Sequence, residues 1–298
     1  MEAQEKIQTQ TWRYFEEWKV KMLWKKDVLF CDLNPVTYAI SESKEKLKRY
    51  IKDYLGKDVF AKGQTRKRLR VVVSEHSNHL IKKGKGIDPV LQENKAVNID
   101  IASKMINGIV IRPGETFSFW RTVGKITKRK GYKDGRIISA NKLTPGLGGG
   151  LCNLANTIHL LVIHSPLTVT EFHTHSDALA PDEGARVPMS AGTSVCYNYI
   201  DFRFKNTTNY PFQLCVWCED GELKGELRSS VQFPWTYEID EQDHHFAKED
   251  DKYFRISKIY KVTKDRETGK LVDRTLIRDN HSEVMFDYDL IPNELIRE

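Results

Sequence analysis

The residues whose types and spacing could do chemistry lie close together in the middle of the chain. A glycine run, Gly148, Gly149 and Gly150, shortly precedes Cys152, and His173 and His175 follow on a later segment. A thiol at the start of one element with an imidazole on the next is typical of a cysteine nucleophile and its general base. The sequence therefore predicts a Cys152 nucleophile with either histidine as its base.

Cys152 can act as a nucleophile only if a regular element holds it at an accessible end. Leu154, Ile158, Leu161 and Val162 recur at three- and four-residue steps, which predicts an amphipathic helix with Cys152 in its first turn. Unpaired N–H groups and the helix dipole favour negative charge at that end. We therefore expect a lowered pKa for the Cys152 thiol and an enriched thiolate.

The two imidazoles depend on the segment that follows this helix. Leu167–His175 alternates between apolar and polar residues, which predicts a β-strand. Since strand side chains alternate between the two faces, Glu171, His173 and His175 are expected on one face. Both imidazoles would then point the same way.

A third group must orient the base. Asp201 lies on a second predicted strand, Cys196–Lys205, with the polar residues of one face, and Asp177 competes with it for this role. The backbone N–H groups of Gly148–Gly150 could bind an oxyanion or a carboxylate, as successive amides do in a nest. The predicted catalytic set is therefore Cys152, His175, His173 and Asp201.

Other interpretations of the same residues stay open. Cys152 could be an inert cysteine packed beneath a tight glycine turn. Zinc could be bound by His173 and His175 with Cys152 or Glu171 as third ligand. No cofactor is expected. A nucleic-acid partner is disfavoured because the basic run 66–68 lacks interleaved aromatics and a helix–turn–helix pattern.

Composition limits the class of protein. The chain has 298 residues, 40% of them hydrophobic, and a net charge of +6, which predicts a globular protein with a substantial core. Its first residues lack the basic start and apolar core of a signal peptide, and no apolar run is long enough for a transmembrane segment. Five cysteines are too few for a disulfide scaffold, so we expect a cytoplasmic protein.

The order of predicted elements indicates an α+β fold. N-terminal helices, over 4–26 and 41–55, are followed by mixed helix and strand, including a helix from Asn98 to Gly108. The central helix that carries the glycine turn and Cys152 should pack on a mostly antiparallel sheet. A hairpin is predicted over 210–228, around Asp220-Gly221, and a long ribbon nearer the C-terminus. The expected divisions are a helical segment, 1–64, a core domain, 65–230, and a β-ribbon extension, 231–298.

Several motifs, kept in order, carry a resemblance to a known family. They are LQENKAVNI, RPGETFSFWRTVG, GYKDGRII, GLGGGLCNLANTIH, EFHTHSDALAPDEGARVP, CYNYIDFRFKNTTNYPFQL and LKGELRS. Together they resemble the VanW family, which is named for an accessory protein of B-type vancomycin resistance. The resemblance covers roughly residues 65–260 and is closest to short members of the family without a signal peptide.

The resemblance assigns family positions to particular residues. The family's glycine triplet and cysteine fall on Gly148–Gly150 and Cys152, and its histidine-serine pair on His175 and Ser176. The chain departs from the family pattern at Asn153, where glutamine is usual, and at Phe172, where arginine is usual, which implies either altered specificity or a weakened activity. The predicted ligand-binding residues are Gly148, Gly149, Gly150, Asn153, Ser176 and Asp177.

Three functions remain in competition. The first is thiol-dependent acyl chemistry on a small peptide or amide linked to cell-wall precursor metabolism. The second is a non-catalytic binding module in which the glycine-turn amides and His175 hold a carboxylate-ended peptide or another anion. The third is a zinc hydrolase. The sequence leaves the oligomeric state open.

Overall fold

The computed structural model describes residues 29–81, 88–139, 142–182, 184 and 186–297. The chain divides after Leu55 into two compact units, and the amphipathic helix predicted over 4–26 lies outside the described residues. The first unit contains helix α1, Pro35–Leu55. It begins earlier than the predicted residue 41 because the Asn34 side chain accepts hydrogen bonds from the Val36 and Thr37 backbone N–H groups.

Three further helices lie among the described residues of the second unit. They are α2, Pro89–Ile106, α3, Phe119–Val123, and α4, Leu151–Ile163. The predicted start of α2 at Asn98 is wrong: the helix begins at Pro89, where the Asp88 carboxylate accepts a 2.8 Å hydrogen bond from Val90 N. An Asp cap followed by proline in the first helical position is a strong start signal.

The strands form four sheets among the described residues, and antiparallel pairing dominates. Two of the sheets surround α4. The first contains β1 Val59–Phe60, β5 Glu115–Ser118, β8 Thr168–Glu171 and β9 Arg203–Lys205, in the order β1-β5-β9-β8. The second contains β2 Gly63–Gln64, β3 Val71–His79, β4 Ile109–Ile111, β10 Phe212–Glu219 and β11 Glu222–Ser229, in the order β2-β4-β10-β11-β3.

The other two sheets are ribbon-like. One is a hairpin before α4, formed by β6 Asp134–Ser139 and β7 Lys142–Leu147. The other is a C-terminal sheet of β12 Trp235–Glu249, β13 Lys252–Asp265, β14 Leu271–Glu283 and β15 Ile296–Arg297, in the order β14-β13-β12-β15. The predicted ribbon is β13 and β14. The long partner strand β12 was not predicted, and it turns the ribbon into a sheet.

Helix α4 lies at the centre of the core, as the apolar spacing predicts. Leu154, Ile158 and Leu161 are buried in the main hydrophobic cluster. A Cβ atom at Gly225 would come within 2.9 Å of Leu161 Cδ1, so this glycine lets the helix lie close against β11. The α+β class, with a central helix on mostly antiparallel sheets, is confirmed.

The hairpin prediction is also confirmed. Strands β10 and β11 pair in register from Phe212 with Ser229 to Glu219 with Glu222. Asp220 and Gly221 link them, with φ of 52° and 76°. Positive φ at both central residues is what a type I′ turn needs, which explains the Asp-Gly pair.

Two of the predicted strands are much shorter than expected. The first keeps regular pairing only over Thr168–Glu171, after which the chain makes an isolated bridge between Thr174 and Thr193. The second keeps it only over Arg203–Lys205. The face on which Glu171 and both histidines were expected to line up is therefore not formed.

The described residues of the 177–192 segment pack against the C-terminal sheet. Arg186 joins it to β12, because its guanidinium forms an ion pair of 2.6 Å with Glu241 and one of 3.2 Å with Asp177. None of the described helices is both long and apolar enough to cross a membrane. The three-part division of the chain at residues 64 and 230 stays a prediction.

Candidate functional site

The glycine turn before α4 is built for close backbone approach. A Cβ atom at Gly149 would lie 2.1 Å from the Gly135 carbonyl carbon, and Gly150 has a φ of 101°. Only glycine fits the first position, and the second strongly favours it. Gly148 N donates to Lys133 O and Gly149 N to Gly146 O, so these two N–H groups are already used. The expected oxyanion nest is therefore not available at these two positions.

Cys152 lies in the first turn of α4, as predicted, but its environment is the reverse of the expected one. Its Sγ makes a weak 3.8 Å hydrogen bond to Val195 O, and its side chain packs against the main hydrophobic cluster. Burial raises the pKa of the Cys152 thiol to about 11, although the bond to Val195 acts in the opposite direction. The expected lowering of this pKa is wrong, because desolvation outweighs the helix terminus.

This difference predicts slow alkylation of Cys152. At neutral pH the thiolate fraction should be about a hundredfold or more below that of free cysteine. We expect iodoacetamide to label Cys152 correspondingly slowly, with a rate that rises up to pH about 11. Peptide mapping by mass spectrometry measures it, with the denatured protein as control. Labelling at pH 7 as fast as in the denatured protein would contradict the assignment.

The predicted bases and orienter have other partners. His173 is exposed and its Nε2 lies 3.0 Å from Glu171 Oε1. Asp201 was expected on a polar face but is fully buried, and its carboxylate forms a 2.7 Å ion pair with Arg203. Within the described residues no hydrogen bond joins Cys152 Sγ to His173 or His175. The predicted thiol and its predicted bases are thus not joined by a hydrogen bond, whereas His173 and the Asp201 N–H group both contact Glu171 Oε1.

Asp201 has a structural role in the start of α3. Its Oδ2 accepts a hydrogen bond from Ser118 Oγ at 2.6 Å, and its Oδ1 accepts from Trp120 N and Phe202 N at 3.0 Å each. A buried carboxylate with four donors is well satisfied. It holds β9 and the β5–α3 corner together and cannot also orient His175.

The remaining predicted ligand-binding residues are spread over two places. Ser176 Oγ donates to Glu283 O at 2.5 Å, and the Asp177 carboxylate pairs with Arg186 and accepts from Asn280 Nδ2. Both therefore attach the 177–192 segment to the C-terminal sheet. Asn153 Oδ1, on α4, is buried without a hydrogen-bond partner among the described residues.

The zinc alternative needs several ligands to converge. Across residues 29–81, 88–139, 142–182, 184 and 186–297, no group of three or more His, Cys, Asp and Glu side chains is placed to hold a metal ion. His173 is instead paired with Glu171, and the His175 Nδ1 lies 2.8 Å from Ser176 O. The geometry therefore gives the zinc alternative no support.

A polar stripe on α4 was missed by the sequence analysis. Asn156 and His159 follow Cys152 at four- and three-residue steps, on the same side of the helix. Asn156 Oδ1 accepts a 2.7 Å hydrogen bond from Thr193 Oγ1, which also lies 3.5 Å from His159 Nδ1. Asn156 and His159 are buried, and their hydrogen bonds hold the 187–195 stretch against α4.

Arg278, from β14, completes this group, and we call Asn156, His159, His175, Thr193 and Arg278 the Arg278 cluster. The charge of Arg278 acts on both histidines. Burial first, then Arg278, lowers the pKa of His159 to about 3. The pKa of His175 is lowered mainly by burial as well. Both imidazoles are therefore predominantly neutral at pH 7, and the guanidinium is the charge of the cluster.

The Arg278 guanidinium has weak partners. Its Nη2 donates to Ser282 Oγ at 3.2 Å and its Nη1 to Met189 Sδ at 3.9 Å. No described carboxylate lies within ion-pair distance of it, and burial lowers its pKa. Gly192, with φ of 101°, lets the backbone lie close to the guanidinium, because a Cβ atom there would lie 3.0 Å from Arg278 Nη1.

The sequence contains a recognisable pattern for some members of the Arg278 cluster and none for Arg278 itself. Asn156 and His159 were visible in the sequence as polar positions at helical spacing in an otherwise apolar helix. Arg278 carried no such signal, because an arginine in an alternating ribbon is usually exposed. Its position depends on how the C-terminal sheet packs against the 177–192 segment.

Comparisons with known proteins give the family context. Residues 94–228 match a family model described as VanW like protein. The chain is 29% identical over 201 residues to "Vancomycin B-type resistance protein VanW" of Enterococcus faecalis (strain ATCC 700802 / V583), which covers 67% of this chain and 73% of the relative.

A second relative is "Uncharacterized protein YoaR" of Bacillus subtilis (strain 168), 34% identical over 119 residues, 40% of this chain and 38% of that protein. No solved structure matches the chain. Asn156, His159, His175 and Thr193 lie inside the family match, whereas Arg278 lies beyond its end at residue 228.

Proposed function

We propose, from the premise that the chain belongs to the VanW family, that it is an accessory protein of glycopeptide resistance and cell-wall precursor metabolism. Its role there is to bind a carboxylate-ended peptide at the Arg278 cluster. The link to vancomycin resistance comes from the name of the Enterococcus faecalis relative. The cytoplasmic location stays a prediction from the sequence.

The observation that carries the binding role is the state of Arg278. A partly buried guanidinium costs free energy unless an anion or several hydrogen-bond acceptors satisfy it. Here the acceptors are one hydroxyl and one thioether sulfur. A ligand carboxylate could accept two parallel N–H bonds from the guanidinium fork, which is the strongest pairing open to arginine.

The neighbours of Arg278 favour a carboxylate over other occupants. Asp177 is near enough to act on the pKa of Arg278, yet its carboxylate is already paired with Arg186 and bonded by Asn280. His159 and His175 are neutral at pH 7 and bring no competing charge. The net charge of the cluster is therefore positive, and hydrogen-bonding side chains surround it.

A catalytic role is less well supported by the geometry. The thiol of Cys152 is largely protonated at neutral pH, and its hydrogen bond goes to a backbone carbonyl. The binding role requires no thiolate. It therefore survives replacement of Cys152, which separates it from the thiol hypothesis.

Titration calorimetry with two matched ligands tests the proposal. We expect N-acetyl-alanyl-alanine to bind, and its C-terminal amide to bind at least tenfold more weakly. Arg278→Met should weaken binding of the acid by roughly 10- to 150-fold, the equivalent of a charged hydrogen bond. Cys152→Ser should leave the affinity unchanged.

Arg274→Met is the control for this experiment. Arg274 lies on the same strand but is paired with Asp240 at 3.1 Å, so its loss should not change the affinity for the acid. Equal binding of acid and amide would overturn the proposal, as would full affinity in Arg278→Met.

A further inference from the structure

A cavity of about 490 Å³ lies beside the C-terminal end of α4 and is separate from the Arg278 cluster. Its walls come from β3, the end of α4, the 187–188 stretch and the first half of β12. A volume of this size is within the usual range of small-molecule sites. No function described above uses this cavity.

One wall of the cavity is held in place by ion pairs. Val187 and Pro188 line it, directly after Arg186, whose guanidinium is paired with Asp177, Asp182 and Glu241. Another wall is strand β3, which is paired with β11. The cavity is therefore preformed, which lowers the entropy cost of binding.

The hydrogen-bonding groups of the cavity are mostly neutral at pH 7. Burial, followed by the charge of His164, lowers the pKa of His76, and burial raises the pKa of Tyr237 to about 12. His164 Nδ1 lies 2.8 Å from Leu160 O. A carbonyl can only accept, so this nitrogen carries the proton and His164 Nε2 is left as an acceptor when the ring is neutral.

The two charged groups that line the cavity do not make it an anion site. Arg266 donates to Phe233 O at 2.9 Å and to Trp235 O at 3.1 Å, so much of its hydrogen-bonding capacity is used. Glu75, on β3, is exposed and contributes the opposite charge. The formal charges cancel, which disfavours a strongly anionic or cationic occupant.

Aromatic rings supply the apolar surface. Trp235 and Tyr237 both line the cavity from β12, and Trp235 keeps 39% of its surface exposed. Polar groups lie on three of the walls, on β3, α4 and β12. A ring with apolar faces and hydroxyls around its rim matches this distribution, since its faces meet the aromatic rings and its rim meets the polar groups.

We infer that this cavity binds a neutral saccharide, with Trp235 as the stacking surface and His76, His164 and Tyr237 as hydrogen-bonding groups. The inference is independent of the Arg278 cluster.

Saturation-transfer NMR and titration calorimetry with cellobiose, maltose and N,N′-diacetylchitobiose test this inference. We expect at least one of them to bind with a millimolar or lower Kd, and Trp235→Ala to weaken it about tenfold, as expected for loss of ring stacking. Glucuronate and adenosine serve as anionic and nucleoside comparisons and should bind more weakly.

Two matched controls accompany the test. Trp217→Ala removes a tryptophan on β10 that does not line the cavity, and it should leave saccharide binding intact. Arg278→Met should also leave it intact, so that failure of the peptide-binding role and failure of this inference are distinguishable. His164→Gln provides a second cavity variant should Trp235→Ala fold poorly, and it should weaken binding severalfold.

Three outcomes would overturn the inference. In the first, none of the three disaccharides binds at millimolar concentration. In the second, adenosine or glucuronate binds more tightly than every disaccharide. In the third, a disaccharide binds equally well to wild type and to the folded cavity variants.

Discussion

Replacement of Asp201 by alanine is expected to lower the free energy of unfolding by about 3–5 kcal/mol, and Tm by roughly 6–20 °C. The variant removes the carboxylate that lies 2.7 Å from the Nε of Arg203, a residue only 4% exposed, while the longer 3.7 Å ion pair of Arg203 with Glu171 remains. It also removes the acceptor for Trp120 N at the start of α3. Chemical denaturation followed by circular dichroism measures the loss.

Two further variants make this result specific. Asp201→Asn keeps the volume and one acceptor, so it should be destabilising by less than the alanine variant. Asp279→Ala removes an exposed carboxylate on β14 and should change stability by less than about 0.5 kcal/mol. A loss of under about 1 kcal/mol in Asp201→Ala would show that the carboxylate does not hold this corner together.

Asp201 also shows where the sequence analysis failed. Alternation over Cys196–Lys205 predicted a strand with Asp201 on its polar face, but regular pairing begins only at Arg203. The irregular stretch turns Asp201 inward, towards the N–H groups of the β5–α3 corner. Periodicity assigns a polar side chain to solvent and carries no information about a distant set of donors that would satisfy it in the core.

The elements that were predicted correctly depend on local signals. The Asp220-Gly221 turn fixes its hairpin through the φ values that its own residues allow. The inward face of α4 follows from the spacing of Leu154, Ile158 and Leu161. In both cases the physical cause lies within a few residues of the feature, and for this reason sequence alone was sufficient.

The candidate site depends on packing that the sequence does not specify locally. A helix start favours a thiolate, but Cys152 packs against the core and burial raises its pKa to about 11. Arg278, on the C-terminal sheet and beyond the end of the family match, lies near enough to His159 and His175 for its charge to act on their pKa values. The sequence located the glycine turn, the thiol and the histidine segment but not the contacts that decide their chemistry.

Replacement of Arg186 by methionine is expected to destabilise the protein by about 3–5 kcal/mol at pH 7. It leaves the buried carboxylates of Glu241 and Asp177 without the guanidinium that lies 2.6 and 3.2 Å from them. The 177–192 segment would lose its main attachment to β12, so we also expect faster proteolysis there. Urea denaturation at several pH values measures the effect.

The effect of Arg186→Met should depend on pH in a defined direction. Burial opposes ionisation of Glu241, but the hydrogen bond and charge of Arg186 outweigh it and lower the pKa of Glu241 below its ordinary value of 4.5. In wild type the stability from this ionised carboxylate is present above that value and is lost as pH falls through the lowered pKa. Without Arg186, burial dominates and raises the pKa of Glu241. Protonation of Glu241 at acidic pH then removes the free-energy cost of an unpaired buried carboxylate in the variant. The stability difference should therefore shrink below pH 5.

Two controls separate the ion pair from the loss of a side chain. Arg186→Met combined with Glu241→Gln removes both charges and should cost less than the sum of the single changes, because neither group is left charged and unpaired. Arg129→Met, at an exposed position without a described ion pair, should leave stability nearly unchanged. A stability difference that is constant between pH 7 and pH 4 would contradict the role of Glu241, because the cost of an unpaired carboxylate must disappear when that carboxylate is protonated.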